Sequence, residues 1–235
     1  MIQDYVCLDL ETTGLDPKTD KIIEIGAVRV SSGEIADTFQ SFVNPGRMLP
    51  SKITELTGIC DEDLKNAPAI EEVLPLFLEF AGDACLLGHS VIFDYSFMKK
   101  AVVNTDGKNK YEKMGIDTLK IARKHLASLE SRRLSYLCAY YGIEQKAHRA
   151  LGDAMATHLL YQKLVGEFYH GNEADFLPGQ LIYNVKRETP ITKAQKERLS
   201  KLITLHNIDY LYDLDRLTRN EASRITDQIL STYGR

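Results

Sequence analysis

A chain of 235 residues can bury one substantial core and leave room for a small appendage. With 44% hydrophobic, 26% charged and 9% aromatic residues, its composition is that of a folded globular protein and excludes the disordered and collagen-like classes. The net charge of -4 divides unevenly: residues 185–235 hold 10 Lys+Arg against 7 Asp+Glu, which leaves 19 against 26 of the totals of 29 and 33 for residues 1–184. A tail of +3 therefore follows a body of -7. An acidic body argues against broad binding to a phosphate backbone, which needs neutralising lysines and arginines, and favours a site that gathers cations.

The opening stretch from Tyr5 to Leu10 is apolar apart from Asp9, and Ile22 to Val30 is rich in β-branched residues, so both read as strands. Glu34 to Val43 alternates after Ser31-Ser32-Gly33 and completes an antiparallel meander. From Ala69 to Phe80, Ile70, Val73, Leu74, Phe77 and Leu78 recur at helical spacing; a short strand, Ala84 to Leu87, and a helix, Phe93 to Val103, follow. A strand over Met114 to Ile116 precedes helical patterns at Thr118 to Leu126, Leu134 to Tyr141 and Leu151 to Phe168. The order βββαβαβααα predicts an α/β fold, a mixed sheet flanked by helices.

Periodicity lapses between Gly166 and Pro190, so the domain over residues 1–168 is expected to end in a packed linker, residues 169–189. Beyond it Thr192-x-x-Gln195 and Thr218-x-x-Glu221 are capping boxes, each opening an apolar run. They predict a helical hairpin over residues 190–235, too small to hold itself together easily, which packs on the main domain or docks a partner. Cys7, Cys60, Cys85 and Cys138 form no C-x-x-C pair and read as small buried apolar residues. No run of 18 apolar residues occurs and the N-terminus has no basic leader, so no membrane partner and a cytoplasmic location are expected.

Successive strand residues face opposite sides, so Asp9 and Glu11 share a face. Thr12-Thr13-Gly14 follows at once, offering hydroxyls and backbone N–H groups beside two acids. Asp94 and Asp153 each stand near a helix start, where an isolated aspartate ordinarily satisfies free N–H groups, and a lone loop histidine such as His148 is ordinarily a surface residue. Four acids together suit hard divalent cations, Mg²⁺ or Mn²⁺. Two such ions clamp the attacking and leaving oxygens of an in-line displacement at phosphorus. Histidine, whose ordinary titration falls near neutral pH, suits the base for the attacking water.

DLETTG at 9–14, HSVIFDYSFM at 89–98 and HRALGD at 148–153 resemble, in order and spacing, the three motifs of the DEDDh family of proofreading-type 3′→5′ exonucleases. The resemblance covers about residues 3–165. It implies a ribonuclease H-like fold in which Asp9, Glu11 and Asp153 hold one divalent ion and Asp9 with Asp94 a second, with His148 as general base. Thr12, Thr13 and Leu15 match positions that meet the 3′-terminal nucleotide, Leu15 as a wedge, and Gly14 and Phe93 join the expected substrate contacts. The segments 53–59 and 116–119 also look like family blocks, with Asp117 structural. Ser90 departs from the pattern, because many members carry Asn there.

The activity so implied is release of nucleoside 5′-monophosphates from the 3′ end of single-stranded nucleic acid. DNA is the expected substrate, in proofreading or repair, with a DNA polymerase or repair partner docking through the hairpin. The alternatives are an RNA exonuclease of the oligoribonuclease or ribonuclease T kind, a non-catalytic nucleic-acid adaptor, and a ribonuclease H-like endonuclease.

Overall fold

The computed structural model describes residues 2–106, 111–145, 148–208 and 213–234. The chain divides into two compact units, one of residues 1–45 and 49–185, the other of residues 46–48 and 186–235.

In the larger unit β1 (Tyr5–Thr12), β2 (Ile22–Ser31) and β3 (Glu34–Phe42) form the expected meander. Three helices then follow: α1 (Ser51–Thr57), α2 (Asp61–Leu64) and α3 (Ile70–Ala81). Sequence periodicity finds only the third. The seven residues of α1 and four of α2 are too few to develop a helical stripe; α1 is bounded instead by Pro50 and by Gly58, whose φ of 71° ends the helix in the left-handed region. Then come β4 (Leu86–Gly88), α4 (Val91–Asp106), β5 (Met114–Asp117), α5 (Thr118–His125), α6 (Leu134–Tyr141) and α7 (Ala150–Phe168).

The stretch expected to be a linker is in part ordered framework. Residues Glu173–Phe176 form a 3-10 turn whose Phe176 is buried, and β6 (Gly179–Gln180) pairs antiparallel with β5. A two-residue strand leaves no period to read. The sheet order is β3-β2-β1-β4-β5-β6, with β4 parallel to both β1 and β5.

Alternation along β1 sorts the core into two layers. Val6, Leu8 and Leu10 pack with Phe77 of α3 and with Tyr95 and Met98 of α4. Tyr5 and Cys7 pack on the opposite face with Ile121 of α5, Leu137 of α6 and Leu160, Tyr161 and Leu164 of α7. Each large apolar side chain among them, fully buried, contributes roughly 1.5–3 kcal/mol. Cys7 and Cys138 are buried as expected, but Cys60 and Cys85 are only half-buried, and the Cys60 thiol donates to the Asp63 carboxylate.

In the smaller unit α8 (Lys193–Leu205) and α9 (Arg219–Tyr233) both open on the predicted capping boxes. Pro190 bridges antiparallel to Thr218, and the Gln195 amide donates to the Arg219 carbonyl and the Ser223 hydroxyl, so the two helix starts are tied together. Among the described residues, no helix is long and apolar enough to cross a membrane.

Candidate active site

Continuing the alternation of β1, Asp9 and Glu11 emerge on the face covered by α7, just where the strand runs out of apolar residues. Gly26 of β2 lies opposite Asp9. A Cβ there would stand 2.1 Å from the Ala150 carbonyl carbon and the Leu151 nitrogen, so only glycine lets the first turn of α7 lie directly on the sheet. That contact brings Asp153 to Asp9 and Glu11. Glu11, His148 and Asp153 each offer one ligand atom, all within 4.8 Å of one another.

Asp94 arrives from the other layer. It sits in the first turn of α4, 4% exposed, and its Oδ1 accepts the Leu10 backbone N–H at 3.1 Å. Asp153, also buried, accepts the Gln145 side-chain amide at 2.6 Å on one oxygen and the His148 backbone N–H at 3.1 Å on the other. His148 itself is exposed, with a left-handed φ of 63°. Its backbone serves Asp153 while its ring remains open to solvent.

Burial and mutual repulsion set the electrostatics. Burial, then the charges of Asp94, Asp153, Glu11 and Glu24, push Asp9 well above the usual carboxylate range. Glu11 is pushed up to about 7 by burial and then by Asp153 and Glu24, with Arg149 opposing. Asp94 and Asp153 are also raised, chiefly by burial, against the hydrogen bonds each accepts. Carboxylates crowded to the point of resisting ionisation form a donor set that fits a divalent cation, which would relieve both causes.

This crowding has a consequence for stability. Because the folded pKa values lie above the unfolded ones, the folded state holds the extra protons, and stability falls as pH rises from about 4 toward the raised values. In EDTA we therefore predict that the melting temperature drops between about pH 5 and pH 8, that a divalent ion reverses the drop, and that Asp94→Asn flattens it. Identical pH slopes for the wild type and Asp94→Asn in EDTA would refute the assignment of strain to this cluster.

Two supporting elements carry no motif signal. Glu24, fully buried and paired across the strands with Glu11, accepts Arg149 Nη2 at 3.0 Å and Nε at 3.3 Å and the Ala150 N–H at 3.2 Å. Arg149 also lies over the Phe42 ring, 5.2 Å from its centroid. This bidentate pair fixes the backbone right after His148. The signal available in the sequence was a lone acid inside the apolar run IIEIGAV, since such acids are rarely buried without a partner.

Asp20 is the second. Its carboxylate accepts the Thr13 hydroxyl at 3.3 Å and the Asp16 N–H at 2.9 Å, and it fills the space that a side chain at Gly14 would need. The loop after β1 is thereby closed with Thr12 and Thr13 buried and Leu15 84% exposed at its tip. Phe93 is half-buried one residue before Asp94 and packs on Phe97.

Asp117 is structural as expected: its Oδ1 accepts the Leu119 and Lys120 N–H groups at the start of α5 and the Ser90 N–H. Ser90 has a left-handed φ of 78°, a conformation asparagine tolerates better. The departure at this position thus concerns a backbone turn.

A six-stranded sheet of this order flanked by helices is the ribonuclease H-like fold, and at the end of β1 it gathers Glu11, His148 and Asp153, with Asp9 and Asp94 interacting electrostatically beside them. Residues 6–161 match the RNase_T family, described as Exonuclease. The DNA polymerase III PolC-type protein of Halalkalibacterium halodurans is 35% identical over 250 residues, an alignment covering 98% of this chain and 17% of that protein. The nuclease domain of 3′hExo, a DEDDh family member, bound to rAMP, superposes with a TM-score of 0.62 at 19% identity, over 77% of this chain and 98% of that one. Exonuclease X in complex with 5′ overhanging duplex DNA does so with a TM-score of 0.56 at 23% identity, over 70% and 92%. The chain belongs to the RNase_T exonuclease family, and shares its fold with that DEDDh nuclease domain. It spans 17% of the curated polymerase it matches, and similarity to that protein runs past residue 165, where the motif resemblance stops.

Proposed function

We propose that this chain releases nucleoside 5′-monophosphates stepwise from the 3′ end of single-stranded DNA, with Asp9, Glu11, Asp94 and Asp153 holding two Mg²⁺ or Mn²⁺ ions. The observation that carries the reading is the meeting of carboxylates from β1, α4 and α7 beside His148, with Glu11, His148 and Asp153 offering ligand atoms within 4.8 Å. When bound, the ions supply positive charge for the attacking water and for the departing oxygen. The chain's own groups do the rest. The His148 ring, exposed at the mouth of the site, takes the proton of the attacking water. Gln145 and the His148 backbone hold Asp153 in one orientation. Thr12 and Thr13, buried and with their hydroxyls donated to the Gly14 carbonyl and to Asp20, shape the loop from within rather than meeting the substrate. The loop presents Gly14 and the exposed Leu15 to the terminal nucleotide, Leu15 as an apolar face for its base.

A 5′-labelled single strand is expected to give a descending ladder with release of 5′-monophosphates, and a blocked 3′ end to stop it. Cleavage of a closed circular strand would instead support an endonuclease. DNA is favoured because the relatives matched along almost the whole chain are named DNA polymerases. The 3′hExo neighbour, bound to rAMP, keeps RNA as the second reading, and matched DNA and RNA strands in the same assay separate the two.

Residues 186–235 we assign to substrate grip or to docking a polymerase or repair partner, on their +3 charge and their continued similarity to the polymerase. A chain ending at Lys186 is expected to keep its turnover on saturating substrate while KM rises with a shallower salt dependence, or while only partner binding disappears. Lost turnover at saturation would give the tail a part in the chemistry.

A further inference from the structure

The parallel strands β1, β4 and β5 end on one edge of the sheet, with Cys7 level with Leu87 and Gly88 level with Asp117. The acidic site occupies the β1 end of that edge. Beyond the ends of β4 and β5 opens a groove of about 490 Å³ whose walls include His89, Ser90, Arg123, Glu130, Ser131 and Arg133. It is bordered by three arginines and one glutamate, in a body that is otherwise acidic.

The arginines divide by role. Arg132 is committed to structure, donating to the Ala127 and Leu129 carbonyls, and its own carbonyl meets His89 Nε2 at 2.8 Å, which ties the groove wall to the loop before α6. Arg123 and Arg133 are exposed, and among the described residues neither guanidinium has a hydrogen-bond or carboxylate partner. Ser131 Oγ accepts the Arg133 N–H at 3.2 Å, which fixes the loop and leaves the hydroxyl proton free to donate. Ser90, which also lines the groove, precedes Asp94 by four residues, about 6 Å of helix rise.

We infer that this groove is a second phosphate-binding subsite, in which Arg123 and Arg133 hold a phosphodiester of the single strand one or more linkages upstream of the bond being cut. The inference rests on the nuclease reading above. Guanidinium groups match phosphate oxygens with paired hydrogen bonds, and a contact to the backbone seats any sequence equally. Position on the same sheet edge as Asp9 and Asp94 sets the strand's direction across the domain, from the groove toward the carboxylates.

The test uses the full chain and two substrates: a ten-nucleotide oligothymidylate, and the p-nitrophenyl ester of thymidine 5′-monophosphate, too short to reach the groove. For the Arg123→Ala/Arg133→Ala double variant we expect KM on the oligonucleotide to rise roughly tenfold or more, with kcat and hydrolysis of the small ester unchanged. The slope of log KM against log salt should become shallower by about 0.7 for each phosphate that the variant no longer neutralises. A single methylphosphonate, walked along the linkages nearest the 3′ end, should weaken binding to the wild type at one linkage and leave the variant indifferent there. Unchanged KM and salt slope, or equal methylphosphonate effects in both proteins at every linkage, would overturn the subsite. A wild type inactive on both substrates would fail the nuclease reading instead; fluorescence anisotropy with the labelled oligonucleotide in EDTA still decides the subsite, since equal affinities for wild type and variant would reject it.

Discussion

Replacing Asp9 or Asp153 with alanine is expected to lower hydrolysis at least about 10³-fold while the protein stays folded. Asp9 is the carboxylate on which the repulsion of Asp94, Asp153, Glu11 and Glu24 converges, so its removal takes away the donor shared by both proposed ions. Asp153 is pinned by Gln145 and the His148 N–H, so alanine there removes a donor that the loop is built to orient. Neither change opens a large apolar cavity, and each relieves like-charge crowding, so the metal-free variants should melt no lower than the metal-free wild type. The measurements are turnover on a labelled single strand at saturating Mn²⁺ and thermal melts in EDTA. Retained turnover in Asp9→Ala at saturating Mn²⁺ rejects the assigned site.

For His148→Ala the expected outcome is a fall in kcat on the order of 10² to 10⁴ with divalent-ion affinity preserved. The structure lets the two roles of this residue be separated. Asp153 is held by the backbone N–H of position 148, which alanine keeps, and the side chain lies exposed outside the core. Alanine in the left-handed conformation costs on the order of 1 kcal/mol, too little to unfold a domain with two packed layers. Titration of activity with Mn²⁺ at fixed pH gives kcat and the metal midpoint together. A collapse of metal affinity alongside kcat would make His148 a third ligand with Glu11 and Asp153, a role their separation of no more than 4.8 Å also permits, and would withdraw it as the base.

The contrast between these variants and those that would disturb Glu24 or Gly26 shows where sequence reading stops. Alternation along Tyr5 to Thr12 was enough to pair Asp9 with Glu11 and to set them apart from Leu8 and Leu10, because a strand has only two faces. Capping boxes at Thr192 and Thr218 located the starts of α8 and α9, because a cap is a local hydrogen bond between residues three apart. Motif order supplied Asp94, Asp153 and His148, and with them the family.

What the chain order could not disclose is everything that depends on two distant segments touching. Gly26 reads as an ordinary small residue until the first turn of α7 is found lying on it, and Glu24 as an oddity until Arg149 and the Ala150 N–H reach it. The helices α1 and α2 and the strand β6 were invisible because pieces of two to seven residues have no period, and their partners, not their propensities, hold them in place. The groove of Arg123 and Arg133 likewise exists only because β4 and β5 end side by side. Local chemistry thus wrote the candidate carboxylates into the sequence, while their meeting at the end of β1 was decided by packing of α4 and α7 on opposite faces of that strand.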